Sequence, residues 1–361
     1  MRGTGPFDRR VCPGDMDLRS AFDAPAPAIV LAEGEFGTPH GKTANGVVMH
    51  SELFDARAVV DSTAAGQRAS DLLDRPDVPD VPVVDSTEAA LDATPDAEAL
   101  VIGVAPAGGA LPEAWVADVE AAIEAGCDVV SGLHTFLSAD DRWRTLADDH
   151  GVRLFDVRDP PATDELRVGD GRVDDRDARV VLTLGTDCAV GKRTTTFELY
   201  RAAREAGLDA GWVATGQTGI MVGAHRGTVV DRVPADFAAG VVEDMVGDVA
   251  ADHDLVFVEG QAALTHRAYS GVTLALLHGA WPDAVVLVDD PDRTGRDDFD
   301  RFTVAGVEQE HRLVAELSDA TVAAVSTWAD DPAAAGYDLP AANVYHADGP
   351  ATLLEAVRRE L

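Results

Sequence analysis

The chain has 361 residues, enough for one large domain or two moderate ones, and 64 acidic against 29 basic residues give it a formal charge of −35. No basic stripe exists to meet phosphates, which excludes nucleic acid as a partner, and no apolar run approaches a membrane span. At molar salt the Debye length falls to about 3 Å and this self-repulsion fades, so the acidity describes a brine solvent rather than a partner.

Residues 1–26 carry Arg, Pro and Gly without periodicity or the apolar core of a signal peptide. They are expected to be a flexible extension, with Met16 as an alternative start. Short β-branched runs then alternate with helical spacing. Buried parallel strands are predicted at Ala28–Ala32, Ala56–Val60, Val81–Val84, Leu100–Val104, Asp128–Ser131 and Arg153–Val157. Helices are predicted at Pro112–Ala125 and Ala139–Asp149, which makes 27–160 a Rossmann-like, doubly wound α/β domain. A charge-dense stretch, 161–178, reads as a linker or a short exposed hairpin. The rhythm restarts over 179–361, a second parallel α/β domain. Strands are predicted there at Arg179–Leu184, Gly211–Ala214, Leu255–Val258, Ala284–Val288 and Thr321–Val325. Its helices are Lys192–Glu205, Ala235–Ala250, Val304–Leu317 and Pro350–Glu360. Cys12, Cys127 and Cys188 are too few and too scattered for a disulfide framework or a zinc pattern, so the chain reads as cytoplasmic.

Only two lysines occur, Lys42 and Lys192, and each follows a glycine. A chain that has replaced lysine with arginine elsewhere keeps it where a compact ammonium must enter a phosphate-wrapping loop too narrow for a guanidinium. Lys192 ends Gly185-Thr186-Asp187-Cys188-Ala189-Val190-Gly191-Lys192, directly between a predicted strand and helix. In that context backbone amides and a helix N-terminus surround an anion and lysine caps it, the logic of a Walker A loop. A strand-turn-helix corner without a ligand is the alternative. Five residues separate the glycines where four are usual, and Arg193 stands where Ser or Thr normally holds magnesium, with Thr194 one step later. Phosphate binding is therefore better supported than magnesium-dependent hydrolysis, for which Thr194 and Glu259 are the candidate metal residues.

The spacing Gly185-Thr186-Asp187-x-x-Val190-Gly191-Lys192 resembles the longer phosphate loop of the dethiobiotin synthetase group. Further motifs are Thr215-Gly216-Gln217-Thr218-Gly219, Glu259-Gly260-Gln261, His266, Tyr269-Ser270-Gly271-Val272-Thr273-Leu274 and Leu277-His278-Gly279. With Gly41-Lys42-Thr43-Ala44, they resemble a family long filed as a domain of unknown function. Its members are associated with D-glutamate N-acetyltransferase activity (DgcN-like proteins). The resemblance covers roughly 28–361, and the acidic, lysine-poor composition fits a haloarchaeal member.

That resemblance implies acetyl transfer from acetyl-CoA to the amine of D-glutamate, with the loop Gly185–Thr194 holding the CoA phosphates. The chemistry needs a base, an oxyanion stabiliser and cations for two carboxylates. Asp61, Glu259 and His266 are candidate bases, although Asp61 is equally a turn former, Glu259 a helix cap and His266 a packed histidine. Lys42, Thr43, Gln261, Tyr269, Ser270 and Arg293 are candidate acceptor contacts, with Arg267 and Arg296 as further carboxylate clamps. His278 is more readily a packed side chain. Cys188 reads as a small loop filler, with an acetyl-cysteine intermediate as the alternative. A nicotinamide cofactor lacks its glycine spacing. An ATP- or GTP-dependent ligase using magnesium, and a nucleotide-binding regulator, remain as other readings of the same loop. A homo-oligomer is expected.

Overall fold

In a computed structural model, residues 17–74, 78–106, 108–297 and 299–361 are described. Cys12, Met16 and the first part of the expected N-terminal extension lie outside them. The first sheet has strands β1 (Ala26–Leu31), β2 (Phe54–Val60), β3 (Val83–Val84), β4 (Ala99–Ile102), β5 (Asp128–Ser131) and β6 (Leu154–Asp156). Their order is β3-β2-β1-β4-β5-β6, parallel throughout, the doubly wound arrangement that the alternating pattern predicted. Ile29 to Leu31 and Leu100 to Ile102 are wholly buried, because helices cover both faces of an all-parallel sheet. Those helices are α1 (Leu18–Ala21), α2 (Lys42–His50), α3 (Ala69–Leu72), α4 (Thr87–Ala93), α5 (Val116–Glu124) and α6 (Asp141–His150).

The second sheet comprises β7 (Arg179–Gly185), β8 (Ala210–Ala214), β9 (Arg226–Gly227), β10 (Leu255–Val258), β11 (Ala284–Asp289), β14 (Thr321–Thr327) and β15 (Ala341–Ala342). The order β15-β14-β11-β7-β10-β8-β9 is again parallel, so the carboxyl ends of its strands share one edge and their loops converge there. A separate antiparallel pair, β12 (Gly295–Arg296) and β13 (Phe299–Thr303), follows β11. Helices α7 (Lys192–Glu205), α8 (Gln217–Val222), α9 (Ala235–Ala250), α10 (Ser270–Ala280), α11 (Val307–Leu317) and α12 (Gly349–Glu360) complete the domain. Among the described residues, no helix is long and apolar enough to cross a membrane.

Residues 161–178 form no hairpin. Arg172–Asp175 is a 3-10 helix, and the segment is strapped to α9 by Arg167, which pairs with Glu243 at 2.5 Å and Asp244 at 2.6 Å. The two domains meet where α2 packs on α8: Thr43 and Thr218 share a hydroxyl contact of 2.6 Å, and the Glu52 amide donates to the Val222 carbonyl at 2.8 Å. Phe197, Tyr200 and Trp212 of the second domain belong to the same buried cluster as the first domain's core. Lys42 is the first residue of α2. Residues 270–280, assigned no element from the sequence, form helix α10. Its Gly279 lies so close to α9 that a Cβ there would sit 2.4 Å from the Ala239 carbonyl oxygen.

Candidate active site

Strand β7 runs into the loop 186–191, whose path needs left-handed backbone at Ala189 (φ 51°) and Gly191 (φ 93°). The amides of Ala189, Val190 and Gly191 donate to no carbonyl among the described residues, and α7, 14 residues long, has no side-chain cap at Gly191. Free amides plus an uncapped helix N-terminus make a ready anion cradle. Lys192 is 6% exposed, and its ammonium turns back onto the Asp187 carbonyl. Burial lowers its pKa to about 8, against the pull of neighbouring acidic groups. A buried ammonium with one carbonyl partner and unclaimed amides around it fits a phosphate group.

Behind the loop, the Asp187 carboxylate is fully buried. It accepts from the Asp297 amide at 2.9 Å and from Arg296 Nη1 at 3.2 Å, and Arg293 Nη1 lies 3.5 Å away. Burial alone would raise its pKa, but the amides of Asp297 and Cys188 and the Arg296 guanidinium more than offset this and hold it below the usual value. Arg296 also donates to the Thr186 carbonyl at 2.5 Å and to Thr265 Oγ1 at 2.6 Å. Thr265 in turn donates to Glu310, a fully buried residue of α11 that also takes the Leu264 and Thr265 amides at 2.9 and 3.0 Å. The chain Glu310–Thr265–Arg296–Asp187 thus ties α11 to the phosphate loop.

His266 is fully buried, and its Nδ1 accepts from the amides of Ala268 and Tyr269 at 3.2 Å each. That places the ring proton on Nε2, which has no hydrogen-bond partner among the described residues and lies 3.7 Å from Asp187 Oδ1. Burial lowers the His266 pKa, in keeping with the two amides that donate to Nδ1, and leaves Nε2–H as a donor. Donor atoms of Asp187, Cys188 and His266 lie within 4.8 Å of one another. The tautomer and the two guanidiniums already on Asp187 suit an incoming oxygen better than a metal ion.

Glu259 ends β10, next to β7, and is 7% exposed. Its Oε2 accepts from the Thr215 amide at 3.1 Å, while its carbonyl accepts from Thr215 Oγ1 at 2.9 Å. Burial pushes its pKa up to about 7 despite the Thr215 amide and the charges of Arg193 and Lys192. Gly260 lets the chain turn here, since a Cβ on it would lie 1.7 Å from the Thr183 carbonyl oxygen. Gln261 Nε2 donates to the Thr215 carbonyl at 2.5 Å. Arg193 points at the domain junction, where a Cβ on Gly46 would lie 3.0 Å from Nη1, itself buried without a hydrogen-bond partner among the described residues. Thr195 and Thr196 direct their hydroxyls to Ser326 at 2.9 Å and Thr183 at 2.5 Å. Thr194 lines an interdomain cavity of about 680 Å³ with Met49, His50, Glu198 and Tyr345.

The structure therefore brings together Gly185–Thr194, Glu259, His266, Gln261 and Arg293, whose Nη1 donates to the Cys188 carbonyl at 2.8 Å. Tyr269, exposed, stacks on His266 with centroids 4.9 Å apart, and Ser270 opens α10. Asp61 is elsewhere: its carboxylate takes the Phe36 amide at 3.1 Å, the Thr63 amide at 3.0 Å and the Thr63 hydroxyl at 2.7 Å, all in loops of the first sheet. Lys42 is exposed, and no hydrogen bond among the described residues ties it to the loop. Thr43 lies at the domain junction. Arg267 is exposed and stacks over Phe302 at 4.7 Å, and His278 is exposed on α10. Sequence reasoning missed Thr265, Glu310, Trp328 and Tyr345. Only Trp328, directly after a β-branched strand, carried a usable signal.

Residues 167–345 match a domain of unknown function described as the DUF1611_C P-loop domain, and residues 62–160 match the DUF1611_N Rossmann-like domain. A D-glutamate N-acetyltransferase of Pseudoalteromonas sp is 39% identical over 199 residues, covering 55% of this chain and 58% of its own length. Another, from Tritonibacter scottomollicae, is 41% identical over 214 residues, covering 59% and 62%. In both cases the match spans less than two thirds of the relative. The crystal structure of a DUF1611 family protein from Anabaena variabilis superposes with a TM-score of 0.83 at 32% identity, covering 92% of this chain and 99% of that one. With both domains matched in order and a solved member covered almost end to end, the chain belongs to the DUF1611 family, an N-terminal Rossmann-like domain followed by a P-loop domain.

Proposed function

We propose that this protein is an N-acetyltransferase that moves an acetyl group from acetyl-CoA to the amine of D-glutamate. The observation that carries the reading is the likeness, at 39% and 41% identity, to two relatives named for that activity. The geometry supports it. The cradle of 186–192 suits the phosphates of CoA, and no phosphate bond need break there. Burial pushes the Glu259 pKa up towards neutrality, which suits a general base. In the reaction the amine nitrogen attacks the thioester carbonyl carbon, Glu259 takes a proton from that nitrogen, the C–S bond breaks, and the CoA thiolate leaves to be protonated. The Nε2–H of His266 and the guanidinium of Arg193 are donors for ligand oxygens, phosphoryl or carboxylate. With Nδ1 already accepting two amides, His266 serves better as such a donor than as the base.

A nucleotide-dependent ligase, with Thr194 and Glu259 on magnesium bound to ATP, draws on the same loop. It is the weaker reading, because Arg193 replaces the hydroxyl next to the lysine and Thr194 faces the interdomain cavity. Incubation with acetyl-CoA and D-glutamate in molar KCl, without nucleotide, is expected to release free thiol measurable with a thiol reagent. Phosphate release that requires magnesium and an added acceptor, with no thiol release, would replace the proposal with the ligase reading.

A further inference from the structure

Two of the large exposed hydrophobic side chains, Trp328 (44% exposed) and Tyr345 (53%), stand beside the phosphate loop rather than scattered over the surface. Trp328 follows β14 directly, and its indole Nε1 donates to the Val190 carbonyl at 2.7 Å. The ring lies against Gly191, where a Cβ would sit 3.3 Å from Nε1. Tyr345 meets it edge-on, with centroids 6.3 Å apart and planes at 89°. Asn343 fixes this corner, donating to the Ala329 carbonyl at 3.3 Å and accepting the Tyr345 amide at 2.9 Å. Tyr345 and Thr194 both line the cavity of about 680 Å³, which lies within the size range of small-molecule sites.

The cavity wall also carries Glu198, Arg201 and Glu205, and Arg201 lies 3.7 Å from both carboxylates. Carboxylates repel a phosphate but accept hydrogen bonds from an exocyclic amine. A flat ring with an amino edge matches such a wall, and an exposed aromatic face supplies the stacking surface.

We propose that Trp328 and Tyr345 form a purine-stacking subsite, which holds the adenine of a nucleotide whose phosphates sit in the 186–192 loop. This rests on the phosphate-binding reading given above and extends it from the phosphates to the base. Free CoA and ATP present the same ring, so the experiment compares them. Calorimetry in molar KCl measures binding of CoA, 3′-dephospho-CoA, ATP and inorganic pyrophosphate to the wild type, Trp328→Ala, Trp328→Phe and Tyr345→Ala. Base–aromatic stacking is worth about 1–3 kcal/mol, so Trp328→Ala is expected to weaken every adenine ligand that the wild type binds by about 5- to 150-fold. Pyrophosphate affinity should not change, and Trp328→Phe should recover most of the loss because it keeps a stacking face without the Val190 contact. The adenine ligand that binds the wild type most tightly identifies the source. Adenine-ligand affinity within twofold of wild type in both alanine variants would overturn the subsite alone. Equal weakening of pyrophosphate would also overturn it, by reducing the indole to a support for the loop. A wild type that binds no adenine ligand would overturn the phosphate-binding reading itself.

Discussion

Replacing Glu259 with glutamine should make the protein more stable and less active, and the size of both effects follows from burial. The carboxyl pKa rises from 4.5 to about 7 on folding. At about 1.4 kcal/mol per pH unit, that costs the ionised native state about 3 kcal/mol relative to the unfolded chain. The sign follows from proton counting. Between pH 4.5 and 7 the native state holds a proton that the unfolded chain has lost, so this contribution is fully present below 4.5 and is lost as the pH rises through 7. The glutamine of the Glu259→Gln variant is neutral throughout and keeps an oxygen for the Thr215 amide, but its NH₂ can face an amide that now points at a carboxylate oxygen. The expected gain is therefore about 1–3 kcal/mol at pH 8, shrinking towards zero near pH 5. Urea unfolding of both proteins at several pH values in molar KCl reads it directly. The same variant should lose about 10²- to 10⁴-fold in kcat/KM for acetyl transfer, and the wild-type profile should rise through about pH 7. A variant no more stable than wild type at pH 8, or a difference that does not depend on pH, would refute the reasoning.

Lys192→Ala should weaken CoA binding about 10- to 100-fold, since a buried charge-assisted contact is lost, and calorimetry would show this. Unchanged affinity would remove the loop from the mechanism. Gly260→Ala must move either β10 or β7, because its Cβ would lie 1.7 Å from the Thr183 carbonyl oxygen. A loss of about 3 kcal/mol or more is expected in urea unfolding, and a folded variant of wild-type stability would show that the close approach is not real. With a formal charge of −35, raising KCl from about 0.1 M to about 1 M, which cuts the Debye length from about 10 to 3 Å, should raise the melting temperature. A melting temperature that stays flat or falls would disconnect the acidity from salt.

The phosphate loop was legible because everything that defines it is local. A mostly apolar strand, two glycines, a rare lysine and a helix follow one another within residues 179–205. Helix α9 was legible for the same reason, its buried positions recurring on one face against polar ones. Helix α10 was not. Thr273, Leu276, Leu277 and Ala280 are buried at helical spacing, but Val272, Leu274 and Ala275 on the other side are apolar too, so no polar stripe marks the period. The partners that give the site its electrostatics were hidden by distance along the chain. Glu310 is hydrogen-bonded towards the loop through Thr265 and Arg296, and Arg296, named as a clamp for a substrate carboxylate, instead holds the protein's own Asp187. Asp61 shows the limit of local reading: a strand-terminal aspartate looks the same from the sequence whatever its carboxylate meets, and here it takes three donors of its own loops.

The two enzymatic readings ask opposite things of one carboxyl group. A magnesium-dependent ligase needs Glu259 permanently ionised, because a proton on it would compete with the metal. An acetyl transfer needs it to gain and lose a proton near neutrality, as the burial beside Thr215 and Gly219 arranges. The cations nearby, Lys192 and Arg193, only partly offset that burial. Arg193 is itself the residue that displaces the usual hydroxyl, so one substitution relative to the common loop both removes a metal contact and supplies a fixed positive charge near the base. A phosphate loop altered in this way can grip an anion without acting on its phosphorus. On the proposed reading, Glu259 is then left free to work on the amine.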